Sequence, residues 1–101
     1  MQDLPIDRNF LPGGLARFYQ HYYNKLFYEL ISYKVLSQEE IRLVLYAPLY
    51  ESDTQFFTRP IGEFFEKVSM DGKMVARFTK VNYEDLPFGV YPFVSENKII
   101  A

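Results

Sequence analysis

The aromatic content most constrains what this chain can fold into. Nine Tyr and ten Phe make up 19% of its 101 residues, and Trp is absent. A chain of this length buries only about 60–65% of the surface that its unfolded form exposes. The rings therefore cannot all lie at the centre of the domain, and we expect some of them to line a groove, a ligand pocket or an interface.

The remaining composition predicts one globular domain and excludes several classes of function. Hydrophobic residues make up 49% and charged residues 24% of the chain, a balance typical of folded domains. The net charge of −2 disfavours nucleic-acid binding. The absence of Cys excludes disulfides, thiolate catalysis and Cys-ligated metals, and it fits a reducing compartment. No apolar run approaches the roughly 20 residues of a membrane span, so we expect a cytoplasmic protein that does not enter membranes.

Gly and Pro divide the chain into three predicted regions. Residues 1–14 contain two Pro and two Gly and predict an irregular N-terminal arm that ends in a turn. Residues 15–81 carry the patterns of regular structure and form the predicted domain. Residues 82–101 combine Pro and Gly with Phe and Tyr, and they predict an extended, aromatic C-terminal tail laid on a surface.

Short strands dominate the predicted domain. Residues 15–23 are ambiguous, because their apolar positions fit a helical stripe while the density of Tyr and Phe favours a strand. The alternation over residues 41–47 predicts a strand that bends at Pro48. Phe56–Thr58 predicts a short aromatic strand that stops at Pro60.

One short helix interrupts these strands. Apolar residues recur at helical spacing from Ile61 to Val68, directly after Pro60, and predict a helix of about two turns. The Asp-Gly pair at residues 71–72 predicts a tight turn, and Met74–Val81 predicts the last strand. Short strands with one helix before the last strand favour a small closed or nearly closed β-barrel.

Four blocks of the sequence carry recognisable motifs. In chain order they are Tyr19–Leu30 with Tyr-x-His-Tyr, Val44–Tyr50 with Val-x-Tyr-x-x-Leu-Tyr, Phe57–Val68 with Arg-Pro-x-x-x-Phe, and Asp71–Phe78 with Asp-Gly-x-x-Val-x-Arg-Phe. Together they resemble a family of small bacterial and phage domains of unknown function, over about residues 15–81. The resemblance implies a mainly β domain similar to an SH3-like barrel, a strand at residues 16–23, and no established activity. The chain departs from the family pattern at Phe57, where Trp is usual, at Ala76, where Pro is usual, and by lacking the family's second His.

His21 is the only histidine and the first candidate site residue. On a strand it would share one face with Tyr19 and Tyr23, and the three side chains could form an aromatic binding surface. A single His cannot build a catalytic triad or a multi-histidine metal site, so we expect no metal, no cofactor and no enzymatic activity. A hydrogen-bonded structural role for His21 is the alternative.

Arg59 and Arg77 are the other candidates. A guanidinium beside aromatic rings can stack on a base or bind a phosphate, and Phe57 lies two residues before Arg59. Either Arg could instead tie the chain down through carbonyl groups or through Glu63 and Glu66.

These features predict a non-enzymatic binding module with an aromatic/Arg groove. Tyr91 and Phe93 of the tail would supply the contact with a protein partner or with a second copy of the chain. The alternative is a binder of a nucleotide or cyclic-nucleotide-like compound, such as a phage protein that sequesters a host defence signal. The net charge disfavours single-stranded nucleic acid, and a small hydrolase would need a catalytic set that the sequence lacks.

Overall fold

The structure is a computed structural model that describes residues 7–98. It contains seven strands, which are β1 (Phe18–His21), β2 (Phe27–Leu36), β3 (Arg42–Pro48), β4 (Phe57–Pro60), β5 (Lys67–Met70), β6 (Lys73–Ala76) and β7 (Phe78–Lys80). A single-turn helix, α1 (Ile61–Phe64), follows β4, and three 3-10 helices follow β7 at Tyr83–Asp85, Phe88–Phe93 and Ser95–Asn97. The ends of the predicted arm and tail, residues 1–6 and 99–101, lie outside the described residues.

The strands form one five-stranded antiparallel sheet and one separate hairpin. The order in the sheet is β4-β3-β2-β1-β7, and β5 pairs with β6. The prediction of a mainly β domain is confirmed, and β1 confirms the strand that the family resemblance implied. The two sheets of the described residues do not close on each other, so the finer prediction of an SH3-like barrel is not confirmed.

The central strand β2 bends the sheet. Its pairing with β3 shifts register between Leu30 and Ser32 and again between Ser32 and Val35. Such irregularities bend a strand and increase its local twist. The bend lets the first half of β2 pair with β1 while the whole strand follows β3, as the pairs Tyr19 with Tyr28 and Leu36 with Arg42 show.

Each face of the sheet carries its own core cluster. One face buries Tyr19, Tyr28, Leu30, Val44, Tyr46, Phe64 and Phe78. The opposite face buries Phe18 and Leu49, against Leu86 and Val94 from the C-terminal region. Alternation along a strand explains this division, because the neighbours Phe18 and Tyr19 must point to opposite faces.

The region after β4 differs from the prediction in two ways. Helix α1 has a single turn, and Val68 belongs to β5, where it pairs with Val75. The predicted strand Met74–Val81 is two strands that separate at Arg77. At Arg77 the chain passes from the hairpin to the sheet. Its N–H still bonds to the Glu66 carbonyl, next to β5, whereas its carbonyl already accepts the Tyr22 N–H at the end of β1. The predicted turn at residues 71–72 is confirmed, and both residues have positive φ, as a tight hairpin turn requires.

The predicted extended tail is wrong for residues 83–97. These residues form three 3-10 helices closed by short-range bonds, such as Val90 N–H to the Pro87 carbonyl and Val94 N–H to the Tyr91 carbonyl. Folding back in turns lets Leu86 and Val94 reach the same apolar face, where both are buried. The C-terminal segment, defined as residues 82–98, is thus one wall of the second core.

Candidate functional site

A pocket of about 180 Å³ opens at the end of the sheet where β1, β2, β3, β4 and β7 meet. We call it the aromatic–arginine pocket. Its lining consists of His21, Asn24, Tyr28, Tyr46, Phe57, Arg59 and Phe78. The strand alternation of β4 places Phe57 and Arg59 on one face, and the bend of the sheet brings that face to the end of β1, although β3 and β2 lie between the two strands.

The pocket walls are aromatic rings packed against each other. Tyr46 stacks on Phe57 with centroids 5.6 Å apart, and Tyr28 meets Tyr46 edge-on, also at 5.6 Å. Phe78 contacts Tyr28 at 5.8 Å and His21 at 5.0 Å. These separations are typical of favourable aromatic pairs, so the walls are rigid and preorganised.

Arg59 is the one side chain of this pocket with an unused buried donor. Its Nε is buried and has no hydrogen-bond partner among the described residues. The ion pairs found between residues 7 and 98 involve Arg8, Arg17 and Arg77, and none involves Arg59. An unsatisfied buried donor costs about 1–3 kcal/mol, and an acceptor in the pocket would relieve this cost once the guanidinium turns its Nε–H toward it.

His21 is held by the turn that follows β1. Its Nδ1 accepts the backbone N–H of Tyr23 at 3.2 Å and that of Asn24 at 3.5 Å. Because Nδ1 is the acceptor, the proton of the neutral ring belongs on Nε2. Burial lowers the pKa of His21 below its ordinary value of 6.5, and the positive charges of Arg59 and Arg77 lower this pKa further. The ring is therefore neutral at pH 7.

Of the predicted site residues, the pocket gathers His21, Phe57 and Arg59 and excludes Tyr19 and Tyr23. Tyr19 lies in the first core at 4% exposure, and burial raises its pKa to about 12. Tyr23 lies in the turn after β1 and is 76% exposed. The predicted shared face fails because β1 ends at His21, so strand alternation no longer holds at Tyr23.

Arg77 makes the contacts with Glu63 and Glu66 that were the alternative to ligand binding. Its Nε donates to the Glu63 carbonyl at 3.1 Å, and its guanidinium pairs with the Glu66 carboxylate. These bonds fix the point where the chain passes from the hairpin into β7. Arg77 is outside the pocket lining and influences it only through its charge near His21.

The two predicted tail residues pack against their own domain. Tyr91 and Phe93 are partly buried against the second core, and the Tyr91 hydroxyl donates to the Tyr83 carbonyl at 2.7 Å. The exposed ring of the C-terminal segment is Phe88, which is 93% exposed. It borders an open, largely apolar cleft of about 360 Å³ that Tyr91 also lines.

Sequence reasoning missed four lining residues. Asn24 and Tyr28 lie in the first motif block, Tyr46 lies in the second, and Phe78 lies in the fourth. Their membership of those blocks was the available signal. This signal was not decisive, because a motif can contain core residues as well as site residues, and only the arrangement of the strands distinguishes them.

A scan against protein-family models matches residues 17–80 to a family described as a protein of unknown function, DUF1653. The chain belongs to the DUF1653 family. The match covers every residue that lines the aromatic–arginine pocket of this DUF1653 domain, and it ends before the C-terminal segment. Neither the search of curated proteins nor the search of solved structures found a match.

Within residues 7–98, no group of three or more His, Cys, Asp or Glu side chains is arranged to hold a metal ion. None of the helices described has the length and apolar character needed to cross a membrane.

Proposed function

We propose that this DUF1653 domain is a non-enzymatic binding module whose aromatic–arginine pocket receives one compact group from a partner protein. The observation that carries the proposal is the buried, unpaired Nε of Arg59 among packed rings. A rigid pocket with one unsatisfied donor gives a partner both apolar contact area and a specific hydrogen bond.

The composition of the lining favours binding over catalysis. It contains no carboxylate and no Ser, Thr or Cys hydroxyl or thiol that His21 could activate. The Nδ1 of His21 accepts a backbone N–H of the turn after β1. It therefore cannot donate to a carboxylate, as the Nδ1–H of a catalytic imidazole usually does.

A nucleotide-like ligand is the second candidate. The free guanidinium beside rings favours it, since a phosphate and a base could both find contacts. The volume disfavours it, because about 180 Å³ is below the roughly 300–1,000 Å³ of typical small-molecule pockets. A base or a phosphate could enter, and the rest of the nucleotide would remain outside.

The SH3-like arrangement remains part of this proposal. The strand order places β7 beside β1, with the bent β2 shared between both halves of the sheet and α1 after β4. This order supports a partly open relative of a small barrel in which the hairpin of β5 and β6 is an insertion before the last strand. A contact with a protein partner or a second copy would then use Phe88, since Tyr91 and Phe93 are engaged internally.

Nuclear magnetic resonance tests the proposal directly, because the Arg59 Nε–H gives its own signal. The ¹⁵N-labelled protein would be titrated with acetate, benzoate, phosphate, nucleoside monophosphates, cyclic dinucleotides and acidic peptides. We expect at least one compound to shift the Arg59 Nε–H together with resonances of the pocket lining.

The matched variants are Arg59→Gln and Arg42→Gln. Arg42 lies exposed at the start of β3, so its replacement removes the same charge without touching the pocket. The shifts should disappear in Arg59→Gln and persist in Arg42→Gln. A panel in which nothing moves the pocket resonances at millimolar concentration would refute the binding function.

A further inference from the structure

The polar groups of the aromatic–arginine pocket are mainly hydrogen-bond donors. Resting on the proposed function, we infer that the group received there is an oxyanion, a carboxylate or a phosphate borne on a flat or short apolar carrier. The shared chemistry is a negatively charged oxygen that accepts hydrogen bonds from Arg59 and His21.

Two N–H groups of the lining can donate to a ligand, in addition to the Tyr46 hydroxyl. Arg59 offers the buried Nε–H, which has no partner within the described chain. The turn occupies Nδ1 of His21, so the ring presents Nε2 as its donor. Bonds from a guanidinium to a charged oxygen are shorter and about twice as strong as neutral ones.

Two of the side chains that could accept a hydrogen bond from a ligand, Asn24 and Tyr28, already make hydrogen bonds. The side-chain oxygen of Asn24 accepts the Leu26 N–H at 2.8 Å, while its Nδ2 donates to the Tyr28 hydroxyl at 3.0 Å. The Tyr28 hydroxyl also bonds to the Tyr50 hydroxyl at 2.9 Å. Tyr46 contributes a phenol that can donate as well as accept. A ligand that brings donors therefore finds mainly the Tyr46 hydroxyl, whereas one that brings acceptors finds that hydroxyl and the N–H groups of Arg59 and His21.

The local charge points the same way. No Asp or Glu lines the pocket, although the chain as a whole has a net charge of −2. Arg77 adds a second positive charge close enough to act on His21, even though its own guanidinium is paired with Glu66. Arg59 thus gives this opening a positive charge that no lining carboxylate neutralises, on a molecule whose net charge is −2.

The rings then determine what carries the oxyanion. Ring faces are electron-rich and repel anions, so the charged oxygens must lie toward Arg59 and His21. The carrier lies against the stacked Tyr46 and Phe57, which accommodate a planar or short apolar group. The volume of about 180 Å³ limits this carrier to roughly one ring.

Benzoate and benzamide form the test, because they share a ring and a planar head group and differ in charge. Titrations of the wild-type protein, followed by the Arg59 Nε–H signal, should give about tenfold or greater preference for benzoate. Phenyl phosphate in the same series distinguishes a phosphate source from a carboxylate source. Equal affinity for benzoate and benzamide would overturn the oxyanion inference while leaving the binding function intact, and binding of neither would count against both.

Two variants and one condition complete the design. Arg59→Gln should abolish the preference for benzoate over benzamide, and Arg42→Gln should keep it. Benzoate binding by the wild-type protein should also tighten as the pH falls from about 8 to about 5.5, because a bound anion favours protonated His21. His21→Gln should lose this pH dependence above the titration of benzoate itself. A pH-independent affinity in the wild-type protein would show that the bound anion does not protonate His21.

Discussion

Replacement of Glu29 by Gln is expected to destabilise the fold by about 3 kcal/mol. Glu29 lies in β2, is 2% exposed, and is the buried charged residue of the described chain. Its carboxylate accepts Nε of Arg17 at 2.9 Å and Nη2 of Arg17 at 2.8 Å. It also accepts the backbone N–H of Ser95 at 2.8 Å and the Ser95 hydroxyl at 2.6 Å. The carboxylate therefore joins the sheet to the C-terminal segment.

The size of the expected loss of stability follows from the Arg17 charge, which Gln leaves without its carboxylate partner. Removing one partner of a buried ion pair typically costs about 3–5 kcal/mol, because the other charge stays buried without compensation. Arg17 is 16% exposed and lies 3.7 Å from Glu96, which places the cost at the lower end of that range. For a domain of this size, about 3 kcal/mol corresponds to a fall in Tm of roughly 10–25 °C.

Urea unfolding and limited proteolysis together measure this effect. The Gln variant should have a lower free energy of unfolding, and chymotrypsin should cut faster after Phe93, since Ser95 no longer anchors the segment. The double variant Arg17→Met/Glu29→Met should recover part of the loss, because replacing both charges removes the uncompensated one. A loss below about 1 kcal/mol in Glu29→Gln, or a double variant no more stable than the single one, would show that this reasoning is wrong.

Three further predictions concern other parts of the domain. Arg77→Gln should cost no more than about 1 kcal/mol in thermal melts, since Glu66 is 46% exposed and solvent screens the pair, and benzoate affinity should stay within about twofold. Stability should fall as the pH drops below 6.5, because the His21 side chain then takes up a proton in the unfolded state more readily than in the folded state, where its pKa is lowered. Urea melts of His21→Gln across the same pH range should show a smaller decline. Gly13→Ala should cost about 1–3 kcal/mol in urea melts, because φ is +100° there and the added Cβ would collide with the Tyr33 hydroxyl.

The sequence predicted those elements whose pattern is local. The alternation at residues 41–47 gave β3, and the Asp-Gly pair gave the hairpin turn. The alternation did not reveal which side is buried, since both sides of β3 are apolar. Val44 and Tyr46 fill the first core, whereas Ile41 is 48% exposed. The elements packed on each face decide that choice, with Phe64 of α1 on one side and Leu86 and Val94 of the C-terminal segment on the other.

Elements that depend on distant contacts could not be predicted. The C-terminal segment is folded because Phe18 and Leu49, far away in sequence, offer an apolar face that Leu86 and Val94 cover. Its Pro and Gly residues locally favoured an extended tail. The gathering of Arg59 with His21 has the same origin, because it depends on the position of β7 beside β1 and on the bend in β2.

The family match covers the sheet and the pocket but not the C-terminal segment. The pocket residues fall within the matched residues 17–80, whereas Ser95, Leu86 and Val94 lie beyond them. A single sheet thus carries the pocket at the end of one face and the bound C-terminal segment on the other. Because the rings of the first core pack between them, loosening the segment should lower stability without reshaping the pocket. The proposed oxyanion site therefore lies within the residues that match the family, whereas the Glu29 network joins those residues to the C-terminal segment beyond them.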